Sequence, residues 1–123
     1  MIPIDIEGKT KRFKGNGRKL GYPTANLSED TDLADGVYFG RANLDKFSDN
    51  PALIFIGVPT TMGDKSRRVE VHLLDIPDLD YYDKNIKVKI LKFHRSNIKF
   101  DNIQQLLKVM REDERVARAW FKS

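Results

Sequence analysis

Two stretches of the chain alternate apolar and polar side chains as a β-strand does. Across 67–75, Val69, Val71 and Leu73 fall on one face and Glu70, His72 and Leu74 on the other; across 86–93, Ile86, Val88 and Ile90 oppose Lys87, Lys89 and Leu91. Successive Cβ atoms of an extended chain point to opposite sides of the pleat, so this alternation is what a half-buried strand requires. Two further strands are predicted from composition. Residues 36–43 mix aromatic and β-branched side chains with small ones, and 52–57 form a short apolar run closed by Gly57 and Pro59.

After residue 100 the spacing changes. Ile103, Leu106, Leu107 and Met110 recur at helical intervals, and Asp101 is placed to cap the helix, with Gln104 completing a variant of the capping box. The stripe lapses over the polar stretch 111–115 and resumes at Ala117, Trp120 and Phe121, which predicts a bend or break in mid-helix. Short strands separated by turn signals and followed by one terminal helix point to an all-β domain, a small closed or partly closed antiparallel barrel. No internal repeat, low-complexity tract or linker divides the chain.

Composition narrows this picture. A chain of 123 residues supports one domain, 1–123, with one core. With 40% hydrophobic and 33% charged residues it is a folded protein and not a disordered one. No apolar run approaches the ~18 residues of a membrane span, and Met1 leads into polar sequence without a secretory leader. A cytoplasmic protein without a membrane partner is expected. The absence of cysteine excludes disulfides, thiolate metal sites and a cysteine nucleophile.

Charge changes it more. The net charge is +4, but Lys9, Lys11, Arg12, Lys14, Arg18 and Lys19 crowd into one stretch, followed by the acidic Glu29, Asp30, Asp32 and Asp35. The basic stretch suits a nucleotide triphosphate or a nucleic-acid backbone, and a solvated strand is the plain alternative. Within it, Gly15, Gly17 and Gly21 allow the backbone to approach a ligand closely and to offer consecutive N–H groups to an anion, and Arg18 and Lys19 add charge. Pro23 stiffens the adjoining backbone, so the Thr24 hydroxyl and the Asn26 amide leave a compact Pro-Thr-Ala-Asn turn in a defined direction. Taken alone, a Gly-x-Gly turn is more often a hairpin connection. The loop is neither a Walker A sequence, which needs Gly-Lys-Ser/Thr, nor a dinucleotide fingerprint, which needs a preceding apolar strand.

Read in order, the chain carries Gly-Arg-Lys-Leu-Gly-Tyr-Pro-Thr-Ala-Asn-Leu, Asp-Gly-Val-Tyr, Ile-Gly-Val-Pro-Thr, Val-Glu-Val-His-Leu-Leu-Asp, then His94-Arg95 and Lys99-Phe100-Asp101. In order and spacing these resemble the riboflavin kinase family of bacteria and eukaryotes, over nearly the whole chain. The resemblance implies a six-stranded antiparallel Greek-key barrel with a C-terminal helix. It also implies an ATP-dependent transfer of the γ-phosphoryl group to the 5′-hydroxyl of riboflavin, giving FMN and ADP. In that family the glycine loop folds over the nucleotide phosphates, which carries over to Gly15, Gly17, Arg18, Lys19, Gly21 and Pro23. The threonine and asparagine of Pro-Thr-Ala-Asn hold magnesium and phosphate oxygens, here Thr24 and Asn26, with zinc or manganese as alternative metals. The glutamate of Glu-x-His is the general base, here Glu70. Arg95 is a candidate for substrate or product phosphate, and Leu107 and Met110 on the helix are candidates for the border of the isoalloxazine ring.

The chemistry asks for these residue types. Phosphoryl transfer depends on positioning and charge neutralisation, and a threonine hydroxyl is a familiar magnesium ligand where the remaining ligands are phosphate oxygens and water. A primary alcohol is a poor nucleophile, so a carboxylate aimed at its proton both orients it and accepts the proton. Each residue also has a plainer role. Glu70 could be an ordinary polar-face residue of its strand, His72 a packed hydrogen-bonding side chain, and Arg95 the partner of a carboxylate at the barrel end. Tyr81 and Tyr82 could stack on a flavin or plug a corner of the core.

The glycine loop is shorter than the family's usual one, and Tyr82-Asp83 stands where relatives have Tyr-Gly. No segment for the adenylyltransferase module of many bacterial relatives is expected, so the sequence predicts a kinase alone, working as a monomer with no nucleic-acid partner. Two other classes compete: a small basic barrel that binds single-stranded nucleic acid, and a flavin-binding module without chemistry. Scattered aromatics, not interleaved with the basic residues, count against the first.

Overall fold

Six strands and one helix make up the computed structural model, which describes residues 2–11, 24–27, 31–58, 67–75 and 84–123. They are β1 (Ile4–Lys11), β2 (Thr24–Leu27), β3 (Gly36–Leu44), β4 (Phe47–Gly57), β5 (Arg68–Leu73), β6 (Asn85–Arg95) and α1 (Ile103–Lys122). The strands close into a barrel in the order β1-β2-β5-β4-β3-β6, and every pairing is antiparallel. Strands β3, β4 and β5 run consecutively and β6 returns beside β3, which is the Greek-key order. Closure leaves no unpaired edge.

The barrel is filled by the inward residues of each strand, among them Ile6, Leu27, Leu44, Ile54, Val71 and Ile90. β-Branched side chains dominate because they are stiff and pack well on a pleated surface. At Gly40 strand spacing leaves no room for a side chain, since a Cβ there would collide with the Lys89 carbonyl and come within 2.8 Å of Ile54 Cδ1. A second core lies on the outside. Val37, Phe39 and Leu53, facing away from the barrel interior on β3 and β4, pack with Ala117 of α1 and with Phe55, Val116, Trp120 and Phe121. The Phe39 ring lies 5.7 Å from Trp120 and 6.3 Å from Phe121. This aromatic contact seats the helix against one flank of the barrel.

The structure revises four expectations. The Pro-Thr-Ala-Asn segment does not end in a turn: 24–27 is strand β2, held between β1 and β5. Strand β4 begins at Phe47, ahead of its apolar run, because β3 also pairs with Asn50 and Pro51 through Ala42 and Arg41 and with Phe47 through Leu44. The helix is continuous over 103–122 and does not break at 111–115. Glu112–Arg115 and Glu114–Arg118 pairs support that polar stretch at i,i+3 and i,i+4, and Asp113 turns inward. The cap is Asn102, one residue beyond Asp101. Asn102 Oδ1 accepts from the Gln105 N–H at 2.9 Å, and Gln105 Oε1 accepts from the Asp101 N–H at 3.1 Å.

Candidate active site

Strand β5 is buried on both faces. Val69, Val71 and Leu73 fill the barrel, while Arg68, Glu70 and His72 point outward and are nevertheless covered. Direct neighbours across an antiparallel ladder point to the same side. On β2, Asn26 is opposite Glu70 and Thr24 is opposite His72; on β4, Phe55 is opposite Glu70 and Leu53 is opposite His72. Ala25 and Leu27 lie in the barrel core, which turns Asn26 to the outer face with Glu70. The carboxylate therefore stands between a polar strand and an apolar one. On the β2 side are Asn26 and the backbone position of Thr24; on the β4 side are Leu53 and Phe55, continuous with the apolar cluster under α1.

Glu70 takes one hydrogen bond among the described residues. Its Oε1 accepts from His72 Nε2 at 2.8 Å, and Oε2 accepts none. Because a carboxylate only accepts, the Nε2 proton must be present. Burial pushes the Glu70 carboxyl up, but the His72 hydrogen bond and charge, with the charge of Arg68, outweigh it and hold the group below the usual glutamate value. The side chain is ionised at neutral pH and has one oxygen to offer. Across the ladder, Asn26 Oδ1 is buried and has no hydrogen-bond partner among the described residues. Leaving such an oxygen unsatisfied costs about 1–3 kcal/mol, and a bound ion or ligand is one way to supply the missing partner. An amide oxygen is a hard donor suited to magnesium, so the residues present fit that metal.

The other expected site residues divide. Gly15, Gly17, Arg18, Lys19, Gly21 and Pro23 lie outside the described residues, as do Tyr81 and Tyr82. Arg95 is engaged elsewhere: Nε and Nη2 donate to Asp113 Oδ1 and Oδ2 at 2.8 and 2.7 Å, and Nη1 donates to the Ser96 carbonyl at 3.0 Å. Of its two expected roles, this is the carboxylate pairing at the barrel end. Met110 is buried on the side of α1 that carries Asp113 and Ala117. Leu107 instead borders an open groove of about 550 Å³ along the helix, with Gln104, Lys108, Arg111, Glu112 and Arg115.

Sequence reasoning missed the junction between β6 and α1. The pairing of β6 with β3 slips by one residue at His94, where Val37 opposes Arg95 but Tyr38 opposes Phe93. The extra residue is a bulge, which re-aims side chains. His94 and Arg95, adjacent in the chain, thereby both reach Asp113; His94 Nε2 lies 3.0 Å from Oδ1, and its ring stacks on Phe39 at 4.6 Å. The available signal was the spacing of Asp113, three residues after Met110 and four before Ala117 on the buried stripe.

Comparisons with known proteins bear on the whole chain. The trifunctional protein RibF/MnmA of Mycoplasmoides gallisepticum is 32% identical over 124 residues, covering 98% of this chain but 19% of that protein. The riboflavin kinase of Pyricularia oryzae is 32% identical over 140 residues, covering 95% of this chain and 70% of its relative. The crystal structure of riboflavin kinase from Trypanosoma brucei superposes with a TM-score of 0.74 at 24% identity, over 98% of this chain and 78% of that one, a likeness of fold. The chain thus spans about a fifth of the Mycoplasmoides protein and most of the Pyricularia one. A family model described as flavokinase, riboflavin kinase, matches residues 1–121, and with the barrel and its Glu-x-His strand in place the chain belongs to the riboflavin kinase family.

Proposed function

We propose that this domain transfers the γ-phosphoryl group of ATP to the 5′-hydroxyl of riboflavin, releasing FMN and ADP. The observation that carries the reading is the setting of Glu70, an ionised, buried carboxylate that stands between Asn26 on β2 and the apolar Leu53 and Phe55 on β4, with its Oε2 and the Asn26 Oδ1 unpartnered among the described residues. Such a site suits a substrate with a charged phosphate at one end and a flat apolar body at the other.

In this mechanism Glu70 Oε2 accepts a hydrogen bond from the riboflavin hydroxyl and directs its oxygen at the γ-phosphorus. As the new O–P bond forms and the bond to the ADP oxygen breaks, the hydroxyl proton passes to Oε2. Thr24 and Asn26 would hold the metal, magnesium first and manganese or zinc as alternatives. When bound, the ion neutralises phosphate charge. Gly15, Gly17, Arg18, Lys19, Gly21 and Pro23 form the phosphate grip by their match to the family's loop, and Lys19 contributes charge at the nucleotide. Leu107 and Met110 remain candidates for the flavin border. Among the described residues no helix is long and apolar enough to cross a membrane.

The test is direct. Incubation with riboflavin, ATP and magnesium should yield FMN by chromatography. No FMN, together with tight and salt-sensitive binding of an oligonucleotide, would replace this reading by the nucleic-acid one. Flavin binding without FMN would make the domain a flavin-binding module.

A further inference from the structure

A glutamate has three side-chain torsions, so a buried one with a single hydrogen bond is directed by the donor of that bond. For Glu70 the donor is His72. Both residues stand on β5, two apart and on the same face, and both Cα positions are set by ladders on either side: Asn26 and Phe55 flank Glu70, Thr24 and Leu53 flank His72. The imidazole is buried with its partner, 8% against 6% exposed, so water has little room to take over as donor. A rigid strand thus holds a donor 2.8 Å from one carboxylate oxygen and leaves the other without a partner among the described residues.

We propose that His72 is a positioning residue of the transfer reaction: its Nε2–H anchors Glu70 Oε1 so that Oε2 remains turned toward the substrate hydroxyl. The inference rests on the kinase reading of the site and assigns to His72 a role that acts only through Glu70. The charge of Arg68 acts on Glu70 as well, but the directed contact comes from His72. Loss of the anchor frees the carboxylate to rotate, and a displacement of about one ångström at a reacting group costs on the order of a hundredfold in rate.

Three variants separate positioning from mere packing. His72→Phe keeps a flat ring and removes the donor. His72→Asn keeps an amide but places its nitrogen where Nδ1 stood, short of Glu70, whereas His72→Gln places an amide N–H near the Nε2 position. With folding checked by circular dichroism, His72→Phe and His72→Asn should lower kcat about ten- to a hundredfold, with KM for riboflavin and for Mg-ATP within about twofold of wild type. His72→Gln should recover kcat to within a few-fold. If His72→Phe fails to fold, the Asn and Gln pair decides alone. An active wild type with equal kcat in the Asn and Gln variants, or with losses confined to KM, would overturn the positioning role and leave the kinase reading standing. A wild type that makes no FMN would overturn both.

Discussion

Among the described residues two carboxylates are buried, each with a histidine Nε2 within 3.0 Å, and they differ in what is left over. Asp113 has both oxygens engaged, by the fork of Arg95 and by His94. Among the described residues Glu70 has one oxygen engaged and one open, with the unpartnered Asn26 oxygen across the ladder. Burial and a histidine neighbour are common to both, and hydrogen-bond saturation is where they differ. A fork-bonded carboxylate at the edge of an aromatic cluster holds α1 on the barrel; a half-satisfied one beside an unsatisfied amide has capacity for a substrate.

The comparison breaks most sharply at Glu70. Glu70→Gln preserves shape and removes the proton acceptor, so turnover should fall by about a hundred- to ten-thousandfold while the fold persists. Wild-type turnover in the folded variant would take Glu70 out of the chemistry.

Asp113 should behave in the opposite way. Asp113→Ala strands the Arg95 charge in a largely buried position, and the cost is about 3 kcal/mol, the low end for breaking a buried pair. Urea denaturation should show this as a lower midpoint. A loss of stability below about 0.5 kcal/mol would mean that the latch does not hold the helix.

Asn26 sharpens the same contrast. Since its Oδ1 is unsatisfied in the folded chain, Asn26→Ala should leave stability unchanged or raise it by up to about 1 kcal/mol. Mg-ATP affinity, read by calorimetry, should nonetheless weaken about tenfold, as should that of Thr24→Val. Unchanged metal-dependent affinity in both variants would remove β2 from the metal site.

The smallest effect is on the pH dependence of stability. Glu70 is held below its ordinary value in the fold, so its ionised form adds stability that is present above the unfolded value, about 4.3, and is lost as pH falls through the lower folded value. The stability difference between wild type and Glu70→Gln should therefore be constant above about pH 5 and shrink below it. A difference that instead grew on acidification would reverse the sign assigned to Glu70.

How far the site was legible depended on the range of the interaction that creates each part. The Glu70–His72 pairing on one face follows from strand periodicity alone, because alternation is a property of the extended backbone. The resemblance of Pro-Thr-Ala-Asn and Glu-x-His to one family pointed to the family to which the chain belongs. Strand β2 was not legible: four residues after a glycine loop carry no periodic signal, and their extended form comes from pairing with β1 and β5. The continuity of α1 was hidden for a related reason. Asp113 reads as a polar interruption until Arg95, 18 residues away, is seen to satisfy it.

The sequence by itself determined the barrel class, the two strands and the terminal helix whose side chains repeat at the backbone's own period, two further strands marked by their composition, and the residue types that phosphoryl transfer needs. Only the tertiary structure decided that the polar face of β5 is buried, that Asn26 stands opposite Glu70 with its Oδ1 unpartnered among the described residues, and that Arg95 is engaged by α1. Those outcomes depend on which strands become neighbours and on which donors meet which acceptors. Local periodicity records how a segment presents its own side chains, and it holds no information about the groups that barrel closure sets against them.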